Sequence, residues 1–140
     1  MKVVSLSITE VEYIAYRLAK KFMEWDEPIP SFGSRFPNIL ESCLALPFGR
    51  FAGKTLYKGL AAKAAILFYL MIKNHPFENG NKRIAVTALL IFLYKNSKWL
   101  QVDNQELYNF AKWIAESNRK LKEPTVSAIE KFIDTYIVDL

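Results

Sequence analysis

The chain has 140 residues, 51% of them apolar, with 19 Lys and Arg against 14 Asp and Glu, for a formal charge of +5. That length and apolar content suit one domain with a full core, so 1–140 reads as a single domain. A lone cysteine, Cys43, excludes an intrachain disulfide and fits a reducing compartment. No apolar run reaches the length of a membrane span, and Met1 to Ser7 lacks the pattern of a signal peptide, so the expectation is a cytoplasmic protein with no membrane partner.

Ser7 and Glu10 have the spacing of a capping box. Val11, Ile14, Ala15, Leu18, Ala19 and Phe22 then recur at helical spacing, which predicts a first helix ending near Trp25, before Pro28 and Pro30. Prolines and Gly33 make 26–37 a loop. Asn38 to Leu46 is a short predicted helix stopped by Pro47. Residues 47–59 hold Gly49, Gly53 and Gly59 and alternate polar with aromatic, the pattern of an exposed flap or weak hairpin.

Leu60 to Asn74 is rich in Ala and Leu and apolar on most faces, hence a central helix. Asn81 to Asn96 is the second. Asp103 and Glu106 form another capping-box pattern, opening a helix to about Ser117. Arg119 to Glu123 reads as a charged linker. Val126, Ile129, Ile133 and Ile137 share one face of a last helix, from Thr125 to about Val138. No stretch alternates cleanly enough for a core strand, so the fold class is all-α. Tyr94, Trp99, Tyr108 and Trp113 read as core and rim packing.

Between the two central helices lies His75-Pro76-Phe77-Glu78-Asn79-Gly80-Asn81-Lys82-Arg83, with the only histidine of the chain. The turn stands at a helix N-terminus, where free N–H groups and the helix dipole favour an anion. Gly80 allows close backbone approach, and Lys82 and Arg83 add charge. Cations there oppose the dipole, an arrangement that a bound anion would offset. A histidine beside a phosphate cradle points to phosphoryl or nucleotidyl transfer with His75 as general base.

These nine residues resemble the signature of the Fic/Doc superfamily, His-Pro-Phe-x-Asp/Glu-Gly-Asn-Gly/Lys-Arg. The likeness extends over about 36–110, through Ile39 to Phe48 and Lys63 to Asn74. Lys82 in the penultimate position resembles the death-on-curing (Doc) branch, and Val86 stands where the adenylylating branch tends to carry a second Arg. The resemblance implies a Fic-type helical bundle with two central helices flanking the 75–83 loop, and a flap whose Lys54, Tyr57 and Lys58 would dock a target polypeptide; an ordinary exposed loop is the alternative for those three. It implies His75 as catalytic base, Phe77 as loop anchor, and Gly80, Asn81, Lys82 and Arg83 as phosphate-binding residues, although Asn81 could instead cap the helix. ATP would be co-substrate and Mg²⁺ cofactor. Asn79 occupies the place of the usual acidic metal ligand, and its neutral amide lowers metal affinity.

The function so implied is a toxin of a toxin–antitoxin pair. It would move a phosphoryl group from ATP to a hydroxyl of a protein target, a translation factor by resemblance, and arrest growth. AMP transfer by a Fic-type adenylyltransferase is the alternative. A nucleotide-binding regulatory module with feeble catalysis is another, motivated by Asn79. A basic nucleic-acid binder would leave the motif unexplained, so nucleic acid would be met only indirectly, through the antitoxin. No Ser or Thr is followed four residues later by Glu, the pattern of a built-in inhibitory helix in many Fic proteins, so inhibition is expected from a separate antitoxin.

Overall fold

The computed structural model describes residues 2–21 and 28–140. Both bonds of the Ser7 capping box form: Glu10 N–H donates to Ser7 Oγ at 3.1 Å, and Ser7 N–H to Glu10 Oε1 at 2.9 Å. The helix they start runs as α1 (Ile8–Glu10), a π-helical turn (Val11–Tyr16) and α2 (Arg17–Lys21). Its expected end near Trp25 lies outside the described residues. Carbonyls of the π-helical turn and of α2 accept from side chains of a central helix. Ala15 O accepts from Thr87 Oγ1 at 2.7 Å, and Ala19 O from Arg83 at 2.5 Å.

A 3₁₀ turn at Phe32–Ser34 precedes α3 (Pro37–Ala45), which has Pro37 at its first position, and Pro47 lies in the following 3₁₀ turn, Leu46–Phe48. The flap is a hairpin of β1 (Arg50–Phe51) and β2 (Lys54–Thr55), Arg50 opposite Thr55. Ala52 and Gly53 both have positive φ at its tip, as the tightest hairpin turns require.

Two 15-residue helices, α4 (Gly59–Lys73) and α5 (Asn81–Lys95), form the centre, within one residue of the expected bounds. Every residue of α4 from Lys63 to Lys73 is buried. It is packed between α5 and α7 (Lys122–Tyr136), while α6 (Asn104–Glu116) covers α5. Among the described residues no helix is long and apolar enough to cross a membrane.

Among the described residues the chain is all-α apart from two small antiparallel pairs. Three local expectations need correction. The Arg119–Glu123 run is no linker: Asn118 Oδ1 caps a 3₁₀ turn by accepting from Lys120 N–H at 2.9 Å, and α7 begins at Lys122. The last helix stops at Tyr136, because Ile137–Asp139 (β4) pairs with Lys98–Leu100 (β3), Trp99 opposite Val138. The second capping box does not form, since Asp103 makes no side-chain cap and Glu106 instead accepts from the Tyr136 hydroxyl at 3.0 Å. Tyr108 is buried, whereas Trp113 is half-exposed and stacks on Phe110.

Candidate active site

The chain leaves α4 at Asn74 and enters α5 at Gly80. His75 has φ +49°, the left-handed region, and Gly80 has φ +72°. A non-glycine residue held there costs roughly 1–2 kcal/mol, so the loop must be tied down around His75. Four ties do this. Pro76 O accepts from Phe36 N–H at 2.9 Å. Phe77 is 1% exposed, with its ring 6.3 Å from Tyr16 and 5.8 Å from Phe32; burial of that size contributes roughly 2–3 kcal/mol. The side chain of Asn81 bonds both main-chain groups of Phe77: Oδ1 accepts from its N–H at 3.0 Å and Nδ2 donates to its C=O at 2.9 Å. Upstream, Arg119 donates to the Lys73 carbonyl and reaches Asn74 Oδ1 at 3.4 Å.

Lys73 strengthens that upstream hold. Its buried ammonium donates to Ser117 O at 2.5 Å and Ala115 O at 3.2 Å, joining the end of α4 to the end of α6. Burial, with the nearby Arg119 charge, holds its pKa below the usual lysine value.

Asn81 also touches the histidine, with Nδ2 3.3 Å from His75 Nδ1. Oδ1 and Nδ2 are assigned by the Phe77 contacts, so Nδ2 donates and Nδ1 accepts, which puts the proton of the neutral ring on Nε2. One long hydrogen bond is worth about 1 kcal/mol, a factor of about five in tautomer population. For an exposed ring exchanging protons with water, that bias restrains the base form without abolishing it.

Gly80 is a contact point as well as a turn. A Cβ there would come 2.7 Å from Ile29 Cγ1, so Ile29 walls one side of the α5 N-terminus and only glycine leaves room for it. Asn81, Lys82 and Arg83 follow as the first three residues of α5.

The phosphate-binding expectations meet this geometry unequally. The backbone N–H groups of the first turn have no acceptor earlier in their own helix, and Lys82 is half-buried. The Asn81 amide is 6% exposed and engaged with Phe77, and Arg83 is 4% exposed with its guanidinium on Ala19 O. Both side chains thus engage main-chain carbonyls within the fold. Arg35, which sequence reading passed over, stands beside the loop: its guanidinium lies 4.3 Å over the Phe32 ring and bonds Phe32 O at 3.2 Å. Nothing in the local sequence marks Lys73 or Arg119, because their partners are remote in the chain.

The flap candidates stand elsewhere. Lys58 caps the N-terminus of α4 and Asn74 its C-terminus, which puts them roughly 24 Å apart along the helix. Tyr57 precedes Lys58 and gives its carbonyl to Lys63, and Lys54 is exposed on β2. Lys54, Tyr57 and Lys58 are therefore not gathered with His75.

Asn79 is half-buried and Glu78 exposed. Among the described residues no three His, Cys, Asp or Glu side chains converge as a metal site. A neutral amide with one neighbouring carboxylate is a poor donor set for a protein-held Mg²⁺, which favours charged oxygens in octahedral geometry. The loop residues do not fit a tightly bound ion.

A histidine at the end of one buried helix, a glycine with positive φ, and cations on the first turn of the next are the arrangement that the nine-residue signature implies. A family model described as the Fic/DOC family matches residues 5–93, well over half of the chain. The chain belongs to the Fic/DOC family. Members of the Fic/DOC family are typically transferases that use ATP to act on proteins. No curated protein and no solved structure matches the chain.

Proposed function

We propose that this Fic/DOC protein is a Doc-type toxin, a cytoplasmic phosphotransferase that moves the γ-phosphoryl group of ATP to a hydroxyl of a protein target and is held in check by a separate antitoxin. The observation that carries the reading is His75, held in a left-handed conformation by the Phe36, Phe77 and Asn81 contacts, directly before a helix N-terminus that begins Gly80-Asn81-Lys82. That places a proton acceptor beside backbone donors suited to a phosphate.

The step balances simply. The target oxygen attacks the γ-phosphorus, its proton passes to Nε2 of His75 in the minor tautomer that carries its proton on Nδ1, the bond between the γ-phosphorus and the β–γ bridging oxygen breaks, and ADP leaves. The first-turn N–H groups of α5, with Lys82, would bear the charge spread over the phosphoryl oxygens. Lys82 where adenylylating relatives usually carry glycine favours phosphoryl over AMP transfer, by family analogy. A translation factor as target, and growth arrest as outcome, rest on the same analogy.

A second reading has one observation in its favour. Asn79 brings no charge to the metal position, which suits a nucleotide-binding module of feeble catalysis. Induced expression in cells separates the two. The toxin reading expects growth arrest by the natural chain and none by a folded His75→Ala; a natural chain that is harmless when abundant puts the regulatory reading first.

A further inference from the structure

At the other end of α4, the base of the flap, the first turn of α4 and residues 2–5 enclose a groove outside the loop described above. One part is a cavity of about 510 Å³ bordered by Lys2, Arg50, Lys58 and Lys63, with Thr55 and Gly59. It adjoins a second of about 610 Å³ that shares Lys2, Val3 and Phe48 and continues along Leu44 and Ala45. The groove thus has a cationic half and an apolar half.

Among the described residues no carboxylate lines either half. Among the described residues none of these four cations takes part in an ion pair; the pairs are Lys95–Glu10 and Lys98–Asp139. Lys63 is 8% exposed, its ammonium 5.6 Å over the Phe48 ring, and Arg50 is braced by a 2.6 Å bond to Gly53 O. The opposite wall is fixed too: Val4 N–H donates to Asn96 Oδ1 at 2.7 Å and Asn96 Nδ2 to Val4 O at 2.9 Å. Four like charges around one concavity repel one another, and a ligand carrying carboxylates relieves that repulsion. Held walls lower the ordering cost of binding.

We propose that this groove docks an acidic peptide segment of a partner protein, with carboxylates on Arg50 and Lys58 and apolar side chains on Val3, Leu44 and Phe48. The apolar half decides the class of ligand. Free phosphate has no use for it. A nucleic acid would want an aromatic platform, and Phe48 is half-buried and turned edge-on to Phe92 at 6.3 Å. Acidic side chains interleaved with apolar ones match both halves. The site lies roughly 24 Å from the catalytic loop along α4, so the proposal stands whether or not His75 transfers phosphate.

The test is selection of a phage-displayed random dodecapeptide library on the full chain and, in parallel, on Arg50→Glu/Lys58→Glu, both positions being exposed. The natural chain should enrich peptides with several Asp or Glu beside Leu, Ile or Phe. A synthesised winner should shift the amide resonances of Val3, Phe48, Thr55 and Gly59, weaken with added salt, and bind the double variant about tenfold or more weakly. Hydrogen exchange of α4 unchanged in the variant would show that the fold survives. Lack of acidic enrichment, enrichment indifferent to the charge reversal, or equal occupation of the groove by inorganic phosphate or a single-stranded oligonucleotide would overturn the proposal.

Discussion

Asn81 and Phe77 are joined by a closed pair of hydrogen bonds, the side-chain amide of one against the peptide N–H and C=O of the other, at 3.0 and 2.9 Å. A side chain from the first turn of α5 thereby holds the main chain two residues past His75. Asn81→Ala leaves both Phe77 groups buried without partners, each costing about 1–3 kcal/mol. Asn81→Asp still accepts from Phe77 N–H but loses both donor contacts and sets a carboxylate against Phe77 O. Chemical denaturation should rank natural chain above either variant. Rate of transfer should fall in both.

Gly80 and Ile29 make a second test of the loop. Gly80→Ala meets both a positive φ and the 2.7 Å approach of its Cβ to Ile29 Cγ1. The backbone strain alone costs about 1–2 kcal/mol. Adding Ile29→Ala removes the clashing atom but not the strain, so the double variant should recover part of the loss and no more. Full recovery, or none, in a double-mutant cycle of unfolding free energies would contradict this geometry.

The loop between the two central helices was legible in the sequence alone. Its signature is contiguous, His75 to Arg83, and both flanking helices carry unbroken apolar runs, so sequence-local reading sufficed. The Ser7 box formed for the same reason, its partners being three residues apart. The Asp103 pattern looked identical and failed, because Glu106 found Tyr136 thirty residues away. Arg119 was invisible as a loop tie for a similar cause: its acceptor is Lys73 O, 46 positions upstream. Likewise the inward turn of Arg83 depends on the Ala19 carbonyl, 64 positions upstream. What escaped was long-range pairing of polar groups, which periodicity and propensity do not encode.

Asn79→Asp should strengthen binding of Mg-ATP, because it returns a charged oxygen to a position whose present amide is a weak ligand for a hard cation. Calorimetric titration of both proteins, with and without Mg²⁺, reads the effect. A gain that appears only with the metal supports Asn79 as the metal position. Equal affinities would place the ion on phosphate oxygens and water alone.

The central claim is transfer of the γ-phosphoryl group to protein with His75 as base. The most direct measurement is parallel incubation of the purified chain with a ribosome-free cell extract and ATP labelled at the γ or the α phosphate, each repeated with His75→Ala. The account predicts a protein band labelled from γ-ATP, no band from α-ATP, and loss of the γ label by about 10²–10⁴-fold in rate in the variant, the usual contribution of a general base. A band labelled from α-ATP, or a γ label that survives His75→Ala, would contradict it.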